Sequence, residues 1–182
     1  MSEIKCFVIE DVPRIRRYLR RYSMSAIGDK HYHNALVHFD DYEYPVKAII
    51  NSFQSEVEQL KSDPRWPTHC HCGYAFVPQD YRQLFVDRLY RLPDGKEVTV
   101  EEAPVGAIWR AWWFEESPSW AGPDGQCLIV KTPGGDWCVD GPAKDGSHWK
   151  RTGTPPNISV TPSILIEGKY HGFLTDGVLK DT

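Results

Sequence analysis

No stretch of this 182-residue sequence is long and apolar enough to cross a membrane as a helix. Met1-Ser2-Glu3-Ile4-Lys5 lacks the apolar core of a signal peptide, so an intracellular protein with no membrane association is expected. The common catalytic signatures are missing too. There is no G-x-S-x-G, no H-E-x-x-H, no Walker loop and no G-x-G-x-x-G. The deaminase pattern of H-x-E with a later P-C-x-x-C is also absent. Positive charge is not in excess: the formal charge is −4 and the pI near 6.0, which gives no global attraction to nucleic acid or anionic lipid. Cysteine is sparse and odd in number, at five (Cys6, Cys70, Cys72, Cys127, Cys138). A chain this long buries well over half its surface and needs no disulfide framework. Reduced thiols or metal ligands are the better reading of the five.

What is present is ordinary in bulk and unusual in detail. Hydrophobic residues make up 41% and charged residues 25%, as in a globular protein. Seven tryptophans make the chain rich in aromatics, and 14 glycines with 14 prolines point to many turns and short strands. Lys5 to Glu10 reads as a strand. Ile15, Leu19 and Tyr22 fall at i, i+4 and i+7, which predicts a helix over 12–22. Residues 34–39 read as a strand. Val46, Ile49, Ile50, Phe53, Val57 and Leu60 predict a helix over 45–61. A third helix is expected over 78–90, with Tyr81, Leu84, Phe85 and Leu89 on one face. Strands follow at 98–100, 107–114, 127–132, 137–140, 149–151 and 157–166, with hairpin turns at Asp94-Gly95 and Asp176-Gly177. The expected fold is α+β: two or three helices in the N-terminal half, packed on a β-rich, mostly antiparallel C-terminal half. It is read as a single domain, 1–182, divisible into a helix-rich 1–90 and a β-rich 91–182.

Four constellations could carry chemistry. His69-Cys70-His71-Cys72 places four potential metal ligands in four consecutive residues, and Gly73 permits a turn after them. Thiolate and imidazole are borderline-soft donors that suit Zn²⁺. A C-x-C pair without a second pair needs distant partners, for which His148, His171, Cys138 and His69 are the candidates. The set Cys70, Cys72, His148 and His171 is expected to hold one structural zinc ion and to staple the two halves together. The second constellation is Arg14, Arg16, Arg17, Arg20 and Arg21. It reads as the solvated face of an amphipathic helix rather than a phosphate clamp, so no strong nucleic-acid binding is expected. The third is Trp109, Trp112, Trp113 and Trp120, which reads as core, with an interface or ligand platform on one face as the sharper alternative. The fourth is His31-Tyr32-His33-Asn34 with His38, next to Asp40 and Asp41. It reads as surface histidines, with a second metal site or an acid–base pair as the sharper alternative.

Several stretches resemble a family of small uncharacterised proteins of tailed bacteriophages and prophages, chiefly of actinobacterial hosts. They are D-P-R-W-P-T-H-C-H-C-G-Y-A-F (63–76), E-A-P-V-G-A-I-W-R-A-W-W (102–113), G-P-D-G-Q-C-L-I-V-K-T-P-G-G-D-W (122–137) and Y-H-G-F-L (170–174). R-R-Y-L-R-R-Y and Y-H-N-A fit less distinctively. The closing P-S-I-L-I, Y-H-G-F and D-G are similar to phage-associated domains thought to bind metal. Members often carry cysteines between the Trp137 and Trp149 segments, where this chain has 142–148 with His148 and no cysteine. The resemblance implies a phage origin and little else; with no signal peptide, the host cytoplasm is the expected location, and a virion component is a weaker option. Two function classes are expected, the first leading because catalytic motifs are absent and aromatics are in surplus. One is a binding or adaptor protein with a protein partner. The other is a metal-dependent hydrolase acting on a nucleotide or nucleic acid, with Asp140 or Asp176 as general base.

Overall fold

The computed structural model describes residues 3–23, 33–43, 60–114, 117–143 and 145–182. Strands dominate them. In chain order they are β1 (Glu3–Lys5), β2 (Phe7–Val8), β3 (Glu10–Tyr22), β4 (Asn34–Glu43), β5 (Tyr81–Arg91), β6 (Glu97–Val98) and β7 (Ala107–Arg110). They continue with β8 (Leu128–Thr132), β9 (Gly135–Cys138), β10 (Lys150–Thr154), β11 (Asn157–Ile166), β12 (Tyr170–Thr175) and β13 (Val178–Asp181). Among the described residues the helical elements are two single 3₁₀ turns, Trp112–Phe114 and Pro118–Trp120. The chain forms two compact units. One comprises Met1–Asp11 with Tyr90–Thr182, the other Val12–Leu89.

The α+β expectation is therefore corrected: the described chain is nearly all β. The helix expected over 12–22 is β3, paired antiparallel with β4 from Arg14↔Glu43 to Tyr22↔Asn34. The helix expected over 78–90 is β5. The physical reason is the spacing. Ile15 and Leu19, or Tyr81, Phe85 and Leu89, lie four apart, and four is a multiple of the strand period as well as close to the helical one. Ile15 and Leu19 are 1% and 0% exposed, and on a strand they share their face with Arg17 and Arg21. The helix expected over 45–61 falls almost wholly on 44–59, outside the described residues. At the Asp94-Gly95 and Asp176-Gly177 turns expectation and structure coincide, whereas the strand expected over 107–114 ends at Arg110 and gives way to the 3₁₀ turn Trp112–Phe114, and that expected over 137–140 runs from Gly135 to Cys138. Asp176 (φ 48°) and Gly177 (φ 72°) both take left-handed backbone at the β12–β13 turn, as a two-residue hairpin requires.

The first unit is a sandwich. One sheet runs β1-β13-β12-β11-β10, and the other β2-β7-β8-β9. Every described pairing except the parallel β2–β7 is antiparallel. Cys6, 2% exposed, links β1 in one sheet to β2 in the other, and its N–H donates to Gly177 O at 2.7 Å. Alternation then builds two cores. Ile108, Leu128, Val130, Trp137 and Val139 face Ile158, Val160, Ile164, Leu174 and Leu179 of the other sheet. Ala107, Trp109, Cys127 and Ile129 point the opposite way, against Ile9, Tyr90, Val98 and Ala103. In the second unit β3 lies between β4 and β5, and Leu19, Phe39 and Leu84 form its buried cluster, with Val37, Leu60 and Trp66 against it.

The sandwich closes around one ion network. The Arg151 side chain, 1% exposed, donates from Nε to Asp140 Oδ1 at 2.8 Å. Its two other nitrogens donate to Asp124 at 3.0 and 2.6 Å, and Nη2 also to Gln126 O at 3.3 Å. Asp140 Oδ2 accepts the Leu128 N–H at 2.9 Å. Burial pulls the guanidinium pKa down, but hydrogen bonds to Asp124 and Asp140 outweigh it and hold the charge. Those from Arg151 likewise keep Asp124 below the usual carboxylate range. A Cβ at Gly122 would collide with Arg151 Nη2 and Asp140 Oδ1. Asp140→Ala is expected to cost about 3–5 kcal/mol, because it leaves a buried guanidinium unpaired on one side. Chemical denaturation measures the loss, and Gly122→Ala should destabilise in the same sense through the collision.

Candidate metal centre

His33, Cys70 and Cys72 form a group that could hold a metal ion: His ring nitrogen and both sulfurs lie within 4.8 Å of one another. Each ligand is placed by local backbone. Residues 68–76 fold back as a hairpin. Phe76 N–H donates to Thr68 O at 2.9 Å, His69 bridges Ala75, and Cys70 N–H donates to Tyr74 O at 2.8 Å. Gly73 N–H donates to Cys70 O at 2.9 Å, which closes the turn Cys70-His71-Cys72-Gly73. Gly73 sits at φ 93°, a backbone conformation that side-chain-bearing residues rarely adopt. The turn brings the two sulfurs together, so C-x-C acts as a knuckle and not as an extended pair. His33 arrives from another segment. It precedes β4, and its carbonyl accepts the Ser23 N–H at 2.9 Å, beside the end of β3.

The imidazole is held flat. It stacks on Tyr74 with centroids 4.1 Å apart and planes 5° from parallel. Its Nδ1 lies 3.2 Å from Cys72 Sγ. Metal–ligand distances of about 2.3 Å to sulfur and 2.0–2.1 Å to nitrogen imply a tetrahedral N···S edge of about 3.6 Å, so the pair is nearly at ligand spacing. His33 and Cys70 are buried at 5% and 3% exposure, while Cys72 and the neighbouring His71 are exposed. His71 Nδ1 lies 3.4 Å from Cys70 Sγ.

The Cys70 thiol is held down at about 6. The largest cause is the Cys72 backbone N–H donated to its sulfur. Burial opposes this, and the Asn34 N–H, the Cys72 thiol and the His33 ring add to the lowering. The two N–H donors point at the sulfur as they would at an anion, so the site stabilises thiolate, the form that binds metal. The other buried thiols behave oppositely. Burial pushes Cys6 up to about 11 and raises Cys127, whose sulfur lies 3.4 Å from Cys138 Sγ.

Of the expected ligands, Cys70 and Cys72 are brought together, and His33 joins them. His148 and His171 belong to the other unit. His148 is exposed and bridges Pro142. His171 stands on β12, where its ring nitrogens lie 3.2 Å from Ser163 Oγ and 3.2 Å from Thr182 Oγ1. Cys138 also lies in the other unit, and the His69 Nδ1 lies 2.9 Å from Thr68 Oγ1. Both oxygens of Asp140 are engaged in the Arg151 network, and Asp176 occupies an exposed hairpin turn. Trp109 is core at 1% exposure, Trp120 stacks on Phe114 at 4.2 Å, and Trp112 is 43% exposed on a 3₁₀ turn. His31 lies outside the described residues. His33 carried one signal in the sequence, its place in a histidine-rich run, but no spacing rule links it to a knuckle so far along the chain.

A thiol whose pKa is lowered on folding releases its proton in the folded chain before the unfolded one. Metal-free protein should therefore gain stability as pH rises from about 6 towards 9, and lose that gain as pH falls back through about 6. A thiolate absorbance titration should show one group with a midpoint near 6 that disappears in Cys70→Ser. No protein-family model, curated protein or solved structure matches this chain, so its functional reading rests on the geometry of this site.

Proposed function

We propose that this chain is a zinc protein in which His33, Cys70 and Cys72 hold one Zn²⁺ that stabilises the smaller unit, and that its role is binding rather than catalysis. The observation that carries the zinc reading is the convergence of two sulfurs and one imidazole within 4.8 Å, with the Cys70 sulfur already receiving backbone N–H groups. Two thiolates and a neutral imidazole suit zinc over the hard cations, which prefer oxygen. The ligands come from two segments joined by a long connection. An ion that ties them contributes its binding free energy to folding. That matters in a unit whose described buried cluster is Leu19, Phe39 and Leu84.

The binding role, as an adaptor for a protein partner in a phage-infected cell, is supported by the outward face of β11 and β12. Leu165 and Phe173 stand 64% and 47% exposed there, Leu165 opposite His171 across the strand pair and Phe173 two residues along β12 from it. The phage origin rests on the motifs at 63–76, 102–113, 122–137 and 170–174 alone. Arg21 is buried, and β3 divides the run between its two faces, Arg14, Arg16 and Arg20 on one and Arg17 and Arg21 on the other, which supports the expectation that nucleic acid is not strongly bound. One observation favours the hydrolase instead: Cys72 and His71 leave one side of the group open to solvent. A catalytic ion would need such a side for its water.

Metal analysis of the purified chain should find about one zinc ion per molecule, as a single N/S site predicts. Cys70→Ser and His33→Ala should each abolish stoichiometric zinc and lower Tm by on the order of 10 °C. His148→Ala and His171→Ala should change neither. Zinc retained in His33→Ala but lost in His171→Ala would overturn this ligand set. Zinc-dependent cleavage of a nucleotide or oligonucleotide, lost in Cys72→Ser, would favour the hydrolase.

A further inference from the structure

Arg21 lies at the end of β3 and is only 7% exposed. Its nitrogens do not reach for solvent or phosphate. Nη1 donates to Pro67 O at 2.8 Å and Nη2 to Val77 O at 3.0 Å. Those two carbonyls stand just outside the Thr68–Phe76 pair that closes the knuckle hairpin. One planar fork therefore ties the two legs of the hairpin together at its base. The Trp66 and Phe76 rings flank the guanidinium, with centroids 5.4 and 4.9 Å from its carbon. Nε, equally buried, has no hydrogen-bond partner among the described residues. An unmet buried donor is a cost, and here it accompanies the placing of the other two.

Asp80 works on the same hairpin from the other side. It is 8% exposed, and its charge favours the Arg21 cation, which burial disfavours. Its Oδ2 accepts the Val77 N–H at 2.8 Å and the Tyr74 hydroxyl at 3.3 Å. Tyr74 is the ring on which His33 is stacked. Arg21 thus fixes the legs that carry Cys70 and Cys72, and Asp80 fixes the ring that orients the imidazole.

We infer that Arg21 and Asp80 form a clasp that preorganises the metal centre, with Arg21 as its principal positioning residue. The inference rests on the zinc reading above and adds a determinant of affinity outside the ligand set. Ligands on a hairpin free to splay must be ordered when the ion binds, and that ordering is taken from affinity. Groups that orient ligands without touching the ion typically contribute about 10–100-fold to metal affinity. Lysine cannot replace the fork, because one ammonium on a flexible stem does not hold two carbonyls at fixed separation.

The test is a Co²⁺ titration of the full-length chain, followed by its ligand-field and thiolate charge-transfer bands. The unaltered chain should bind Co²⁺. Arg21→Lys should keep the band positions, since the ligands are unchanged, while affinity falls by about 10–100-fold. Arg20→Lys, at the exposed neighbour that lies over Tyr22, should bind as the unaltered chain does. Equal affinity in Arg21→Lys overturns the clasp, and so does a shift of its bands, which would mean a changed ligand set. If circular dichroism shows Arg21→Lys unfolded, Asp80→Asn decides by the same criterion. Absence of Co²⁺ bands in the unaltered chain defeats the zinc reading itself, a result distinct from failure of the clasp.

Discussion

Burial of β7 and β8 on both faces is the constraint on which the larger unit depends. Ile108 and Val130 serve one core while Ala107, Trp109 and Ile129 serve the other. A strand with no wet face has no room for a polar side chain except at its ends, so charge must gather where the strands stop. That is where Asp140 and Arg151 lie: Asp140 just past β9, accepting from the Leu128 N–H at the start of β8, and Arg151 on β10. Two buried opposite charges with nearly every lone pair engaged are tolerated, whereas either one alone would not be. Gly122 is part of the same arrangement, because a side chain there would occupy the space of the ion pair.

The smaller unit solves a different problem. Its described buried cluster is small, and its polar interior is correspondingly large: Arg21, Ser23, His33 and Asp80 are all under a tenth exposed. Each of these side chains or its backbone is committed to the hairpin at 68–76 or to the strand ends beside it. Such an interior is specified by hydrogen bonds more than by apolar area. It is where an ion with directional bonds to two segments would contribute most.

The legibility of the chain follows the same division. Turns fixed by Gly or Asp-Gly, and strands whose both faces are apolar, could be read from sequence because the signal is local. Residues 12–22 and 78–90 could not be, because apolar positions four apart satisfy either period and only pairing with β4 or β6 decides. The arginine run illustrates the consequence. On a helix Arg14, Arg17 and Arg21 would share a solvated side; on a strand Arg21 turns inward to two carbonyls. At the candidate metal centre the knuckle was legible as adjacent potential ligands. His33 was not, because its approach to Cys72 is a tertiary event with no counterpart in spacing.

The cysteines show why exposure alone does not find such a site. Cys6, Cys70 and Cys127 are nearly equally buried, at 2%, 3% and 2% exposure. Burial by itself disfavours thiolate and raises the pKa, which is what happens at Cys6 and Cys127. Cys70 departs in the opposite direction because the Cys72 and Asn34 N–H groups meet its sulfur. One of these donors comes from the knuckle turn and the other from the strand that follows His33. The same backbone geometry that brings these side chains together therefore also favours the thiolate of one of them. Neither the hairpin nor β4 could supply both effects separately, and it is this coincidence, more than the presence of three candidate ligands, that sets the cluster apart as one that could hold a metal ion.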